Sequence, residues 1–119
     1  MLFRSLVGGQ DEVVFEGRSF ALNAQGKVCA RAPSFQVCAF DLTLDLSAAS
    51  ALSGPLSAET SLESDLWYAL VLGVRDYLGK NGFPGALLGL SGGIDSALVL
   101  AIAVDALGAQ QVQIGRAHV

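Results

Sequence analysis

Histidine occurs once in this chain, at His118, and cysteine only twice, at Cys29 and Cys38. Two cysteines cannot staple a small secreted scaffold, and free thiols in a reducing cytoplasm are the reading they support. Charged residues make up only 15% of the chain, and Lys plus Arg number 7 against 11 Asp plus Glu. A net charge of −4 excludes a dedicated nucleic-acid binder, which would be basic. It leaves nucleotide binding open, because that needs a few local donors rather than a global field. No apolar run reaches the length of a membrane span. The opening Met1–Val7 is broken too soon, by Gly8-Gly9-Gln10-Asp11, to read as a secretory signal.

What is present in quantity is apolar surface and glycine: 52% hydrophobic residues and 14 Gly in 119 residues. The chain is therefore globular rather than disordered, and at this length amounts to one ordinary domain or pieces of two. Residues 7–40 read as β structure. Val13–Phe15 and Ser19–Leu22 are short apolar strands, Asn23–Gly26 supplies turn chemistry, and Lys27–Ala32 alternates until Pro33 stops it. Asp11 and Glu12 form an acidic pair that, on a strand, would point to opposite faces; a structural role is favoured over a catalytic one. Asp41–Thr60, rich in Ser, Ala, Leu and Gly and without a period, reads as a linker.

From Ser61 the pattern turns helical. Leu66, Ala69, Leu70, Leu72, Gly73, Asp76 and Tyr77, with Leu62 upstream, define an amphipathic face. Lys80-Asn81-Gly82 and Pro84 end the helix. Trp67, Tyr68 and Tyr77 are read as core or interface side chains rather than an adenine-stacking box. A five-residue apolar strand, Ala86–Leu90, runs into Ser91-Gly92-Gly93-Ile94-Asp95, and an apolar segment starts at Ser96. Ala97–Leu107 is so uniformly apolar that burial on nearly all sides is expected, with Gly108 closing it.

The stretch from 86 to 100 thus reads as strand, phosphate-sized loop and helix. Gly92 and Gly93 allow positive φ and close approach of the backbone to a ligand. A helix N-terminus with successive free N–H groups attracts anions, and Ser91 and Ser96 add hydroxyls. Asp95 would repel a phosphate unless a divalent cation, magnesium by preference, lay between them. A Walker loop is excluded, because no Lys follows Gly93. Gly89-Leu90-Ser91-Gly92-Gly93 also fits the Gly-x-Ser-x-Gly elbow of an α/β-hydrolase with Ser91 as nucleophile, which needs a later acid and histidine. A ligand-free βα turn, or a non-catalytic module that binds a partner through Leu66–Tyr77, are the remaining alternatives.

Ser91 through Ser96 matches a Ser-Gly-Gly-x-Asp-Ser signature and resembles the pyrophosphate (PP) loop of the N-type ATP pyrophosphatases, which include NAD, GMP and asparagine synthetases. Val7–Gly17 with Ser19-Phe20 and Ala30–Pro33, and above all the Gly-Gly-Gln-Asp-Glu run, resembles the C-terminal end of a nitrilase-type glutaminase domain. Such a domain stands in front of bacterial glutamine-dependent NAD synthetases. The order of the two resemblances argues against GMP and asparagine synthetases, whose glutaminase domains are of other types. The implied fold is α/β: a β-hairpin remnant of a nitrilase-like αββα domain over 1–40 and a linker over 41–60. Residues 61–113 would then be the helix–strand–PP-loop–helix opening of an adenine-nucleotide α-hydrolase-like, Rossmann-like parallel-sheet domain.

The resemblance also implies an activity. ATP adenylates the carboxylate of deamido-NAD, and ammonia from glutamine displaces AMP to give NAD, pyrophosphate having left. It implies that Gly89, Leu90, Ser91, Gly92, Gly93, Ile94, Asp95 and Ser96 bind ATP. The N–H groups of Gly92, Gly93 and Ile94 and the hydroxyls of Ser91 and Ser96 hold pyrophosphate, and Asp95 positions Mg2+. The Glu-Lys-Cys triad of the glutaminase would lie upstream, and Cys29 and Cys38 are in the wrong context to be its nucleophile. A cytoplasmic homo-oligomer of the full-length protein is implied, with no nucleic-acid or membrane partner. Ile114–Val119 reads like one frame of a common sequencing adapter, so residues 114–119 are expected to be a non-native tail of a truncated fragment, and His118 to carry no chemistry. The 119-residue chain alone is then expected to convert no deamido-NAD in the presence of ATP, magnesium and ammonium; measurable NAD formation would contradict this.

Overall fold

The computed structural model describes residues 1–47 and 51–116; His118 and its neighbours 117–119, on which part of the expected tail falls, lie outside the described residues. The strands are β1 (Leu2–Phe3), β2 (Val7–Gln10), β3 (Val13–Glu16), β4 (Phe20–Leu22), β5 (Val28–Arg31), β6 (Thr43–Asp45) and β7 (Ala51–Ser53). Helix α1 (Leu62–Lys80), β8 (Ala86–Leu90), helix α2 (Ile94–Leu107) and β9 (Val112–Arg116) follow. Two compact units form, Met1–Gly8 with Phe15–Asp65, and Gly9–Val14 with Leu66–Val119.

In the first unit β1, β4 and β5 make an antiparallel sheet, with Phe3 opposite Phe20 and their rings stacked 5.1 Å apart. The Asn23–Gly26 turn forms as expected: the Asn23 carboxamide oxygen accepts from the N–H of Gln25 and of Lys27, and Gly26 takes φ 76°. Strand β5 ends at Arg31, two residues before Pro33. The core here is built of small residues, Ala21, Ala30 and Ala32. The stretch 41–60, read above as lacking regular structure, carries the β6–β7 hairpin, and Leu56 then bridges to Arg31. Strands of three residues are too short to show alternation, which hid them from the pattern. Asp11 and Glu12 lie in the turn between β2 and β3, not on a strand. Asp11 takes φ 52°, a conformation aspartate tolerates, and both residues are exposed.

Arg18 gathers the end of this unit. Its guanidinium donates to Ser34 Oγ at 2.6 Å, to Thr60 Oγ1 at 2.6 Å and to the Asp65 carboxylate at 3.0 Å. Helix α1 starts on Ser61, whose hydroxyl accepts from the Ser64 N–H at 3.2 Å, with Glu63 and Asp65 in the first turn. The Glu63 carboxyl is held below its ordinary range, chiefly by its own backbone N–H and then by the Ser61 hydroxyl. A lowered carboxylate supports the helix start at neutral pH and loses that effect as acidification protonates it.

In the second unit α1 ends at Lys80, where Gly82 at φ 70° turns the chain and Phe83 N–H returns to Leu78 O at 3.0 Å. Trp67, Val71 and Val74 of α1 pack on Ile102, Ala106 and Leu107 of α2. The expected face holds only in part: Leu72 is buried as expected, but Leu62, Leu66, Leu70 and Tyr77 are exposed and Val71, outside that face, is buried. Residues 66–74 are apolar all round, so period alone could not choose the stripe; the fit against Ile102 and Ala106 of α2 does. Nor is α2 buried on nearly all sides. Ile102, Ala103 and Ala106 are covered, but Ile94, Leu98 and Val99 are 83%, 50% and 49% exposed. Its neighbours, α1 and the β8–β9 pair, cover one side. Replacing Ile102 by alanine is expected to lower stability to urea by about 2–4 kcal/mol. Leu98→Ala, on the open side, should cost less than about 1 kcal/mol, and equal losses would refute the assigned face.

Candidate functional site

Strand β8, helix α2 and strand β9 form a βαβ unit, the two strands pairing in parallel from Ala86↔Val112 to Leu90↔Arg116. Ile114 and Gly115 thus lie opposite Leu88 and Gly89. The carboxyl end of a parallel strand is where open α/β sheets place ligands, and here that end delivers Ser91, Gly92 and Gly93.

Gly92 takes φ 84°, the left-handed conformation expected of it, and that bend swings the chain off the strand toward the helix. Gly93 does not: it is extended, at φ −86° and ψ 162°, and serves as the N-cap of α2 without a side-chain cap. The helix begins at Ile94, two residues before the apolar pattern indicated, because Asp95 and Ser96 are polar residues of its first turn. The first helical bond closes from the Ala97 N–H to the Gly93 carbonyl at 3.3 Å. The N–H groups of Ile94, Asp95 and Ser96 precede it, at the positive end of the helix dipole.

The hydroxyls are organised around the same turn. Ser96 Oγ donates to the Gly93 carbonyl at 2.9 Å and lies 3.2 Å from Ser91 Oγ. Ser91 Oγ in turn accepts a long bond from the Gly93 N–H, at 3.4 Å. The loop is thereby held open from within, with residues 91–95 exposed and Ser96 half-buried. The N–H of Gly93, expected to face a ligand, is partly engaged by Ser91, whereas those of Asp95 and Ser96 were not anticipated as donors. A helix start two residues earlier would have revealed them. Gly89 and Leu90 are the last residues of β8, and they set the height of the loop above the strand pair.

Asp95 is exposed in the first turn of α2. Among the described residues no cluster of three or more His, Cys, Asp or Glu is placed to hold a metal ion. A lone carboxylate fits magnesium, which is commonly held by one or two carboxylates with phosphate oxygens and water completing the octahedron. Ser91 is not arranged as a hydrolase nucleophile. The non-glycine residues at positive φ among those described are Asp11, Arg18 and Phe35, so Ser91 lacks the strained elbow, and its hydroxyl faces Ser96 and an amide rather than a base. Of the aromatic trio, Trp67 is half-buried against α2 and donates its indole N–H to the exposed Asp105 at 2.7 Å. Tyr68 and Tyr77 are exposed, Tyr77 with its ring 6.3 Å from that of Phe83.

Residues 66–115 match a family model described as NAD synthase. The glutamine-dependent NAD(+) synthetase of Synechocystis is 50% identical over 113 residues, covering 94% of this chain and 20% of that protein. The enzyme of the same name from Rhodobacter capsulatus is 45% identical over 115 residues, covering 94% of this chain and 21% of its own length. Among solved structures, glutamine-dependent NAD+ synthetase from Acinetobacter baumannii, in complex with ADP, superposes with a TM-score of 0.91 at 42% identity. That likeness covers 97% of this chain and 22% of that one. The chain therefore spans about a fifth of the length of the relatives it matches.

The unlike backbones of the two adjacent glycines make a direct test. Gly92→Ser is expected to lose about 1–2 kcal/mol of stability, since a side chain at positive φ is strained even in open space. Gly93→Ser, at an extended N-cap where a new Cβ meets Ser91 Oγ at an ordinary 3.6 Å, should be neutral or slightly stabilising. Urea unfolding of the two variants that showed equal losses would refute the loop conformation.

Proposed function

We propose that this chain, whose residues 66–115 match the NAD synthase model, is a segment of a glutamine-dependent NAD(+) synthetase, an ATP-dependent carbon–nitrogen ligase. The observation that carries the proposal is that Ser91–Ser96 runs from the end of a parallel strand through the first turn of α2. In this reading residues 1–40 close a nitrilase-like glutaminase domain, 41–60 link it onward, and 61–113 open the domain that binds ATP. The full-length protein takes ATP, deamido-NAD and glutamine as substrates, works in the cytoplasm and assembles with copies of itself.

The reaction makes an amide. A carboxylate oxygen of deamido-NAD attacks the α-phosphorus of ATP, and pyrophosphate leaves. Ammonia released from glutamine then attacks the activated carbonyl carbon, AMP departs with the bond electrons, and a proton is lost from nitrogen. What this chain contributes is a seat for the departing pyrophosphate. The N–H groups at the start of α2 lie at the positive end of the helix dipole, which favours the charge that builds on the leaving oxygens. The Gly92 bend keeps a Cβ out of the seat, and the Ser91 and Ser96 hydroxyls are free to turn from one another toward phosphate oxygens. Magnesium held by Asp95 would supply charge neutralisation between that carboxylate and the phosphates.

Calorimetric titration of ATP into a full-length protein carrying this segment tests the assignment. With magnesium present, Asp95→Ala is expected to weaken ATP binding by about tenfold or more, equivalent to at least about 1.4 kcal/mol. Without magnesium the same change should leave binding unaltered or stronger, because a carboxylate that repels phosphate has gone. Equal affinities for the two proteins in magnesium would refute the seat.

A further inference from the structure

The Gly8-Gly9-Gln10-Asp11-Glu12 run has no part in the chemistry above, yet its second glycine is among the most closely held backbone units of the second unit. The Gly9 N–H donates to Asp76 Oδ2 at 2.8 Å, and the Gly9 carbonyl accepts from Lys80 Nζ. Asp76 and Lys80 themselves pair at 3.5 Å, one turn apart on α1. Both backbone polar groups of Gly9, which belong to two successive peptide units, are therefore gripped by a single ion pair. Its φ is not in the left-handed range, so glycine is needed at position 9 for proximity: a Cβ there would lie 3.3 Å from both Asp76 Cβ and Gly73 Cα. Gly73 reciprocates, its own Cβ position falling 3.4 Å from Val14 Cγ2.

Helix α1 is thus fastened at two places. Trp67, Val71 and Val74 pin its middle to α2, and Asp76 with Lys80 fasten its last turn to Gly9–Val14. From that last turn a short connection through Gly82 and Pro84 enters β8, which ends at Ser91. Helix and strand are stiff, so the position of α1's final turn sets where β8 enters its pairing with β9 and how the loop at its far end meets α2. We propose that Asp76, acting through the Gly9 peptide and backed by Lys80, is a positioning residue for the phosphate loop; the proposal rests on the ATP-binding reading given above. The Gly-Gly-Gln-Asp-Glu run then serves the nucleotide site from a place distant in sequence, without touching ligand.

The test uses the full-length enzyme with ammonium chloride as nitrogen donor, which bypasses glutamine. Asp76→Ala removes the acceptor for the Gly9 N–H while favouring the helix itself. Gly9→Val forces the same surfaces apart from the other side. Both are expected to raise the KM for ATP about five- to tenfold with kcat within twofold, and Asp76→Asn, which keeps an acceptor oxygen, should restore most of the loss. An unchanged KM in either, or a fall in kcat tracking the fraction of folded protein at constant KM, would overturn the proposal alone. Absence of ATP-dependent amidation in the unaltered enzyme would overturn both this proposal and the reading beneath it.

Discussion

Everything at the candidate site depends on one constraint: a helix cannot satisfy its own first N–H groups. In most helices a serine, threonine or aspartate at the N-cap takes up that demand. Here the cap is Gly93, which has no side chain, and the nearby hydroxyls of Ser91 and Ser96 are occupied with one another and with the Gly93 carbonyl. The donors of Ile94, Asp95 and Ser96 thus receive no cap side chain, and in the proposed function they are what a phosphate would meet. A stronger cap would stabilise the helix and fill the site with protein.

The same economy of side-chain volume runs through the packing. Among the buried apolar residues Ala21, Ala30, Ala32, Ala103 and Ala106 outnumber Val71, Leu72 and Ile102. Alanine and glycine let backbones approach closely but bury little area, so each such contact stabilises less than a leucine contact would. Polar ties compensate: Arg18 to Ser34, Thr60 and Asp65 in one unit, Trp67 to Asp105 and Arg75 Nε to the Ala106 carbonyl in the other. Each of these is directional, and together they fix orientations that small side chains would leave loose.

How much of this was legible in the sequence follows from the same balance. The strand Ala86–Leu90 and the end of α1 at Lys80 were readable because glycine, proline and a clean apolar run mark them. The start of α2 was misplaced because Ile94 is cut off from the continuous apolar run after Ser96 by two polar residues, yet joins the helix by backbone geometry. The buried stripe of α1 was unreadable for the opposite reason, since nearly every residue from Leu66 to Val74 is apolar and the partner surface makes the choice. The hairpin of β6 and β7 was too short for any period. The Ser91–Ser96 stretch itself was legible as a motif, but its internal hydroxyl bonds, and the place of the Asp95 and Ser96 amides in the first turn of α2, required the fold.

The bond between Gly9 and Asp76 spans 67 residues of chain. Closing a loop of that size costs on the order of 4 kcal/mol in chain entropy, scaling with the logarithm of its length. Gly9, made before α1, thus cannot reach its final partner until α1 has been made. In the interval, Gly9–Val14 presents an unclaimed strand end with Val13 and Val14 open to water, an edge of the kind that recruits other chains. The ribosome's pace between those two positions, and any chaperone that shields the edge meanwhile, become part of how this segment reaches its native state.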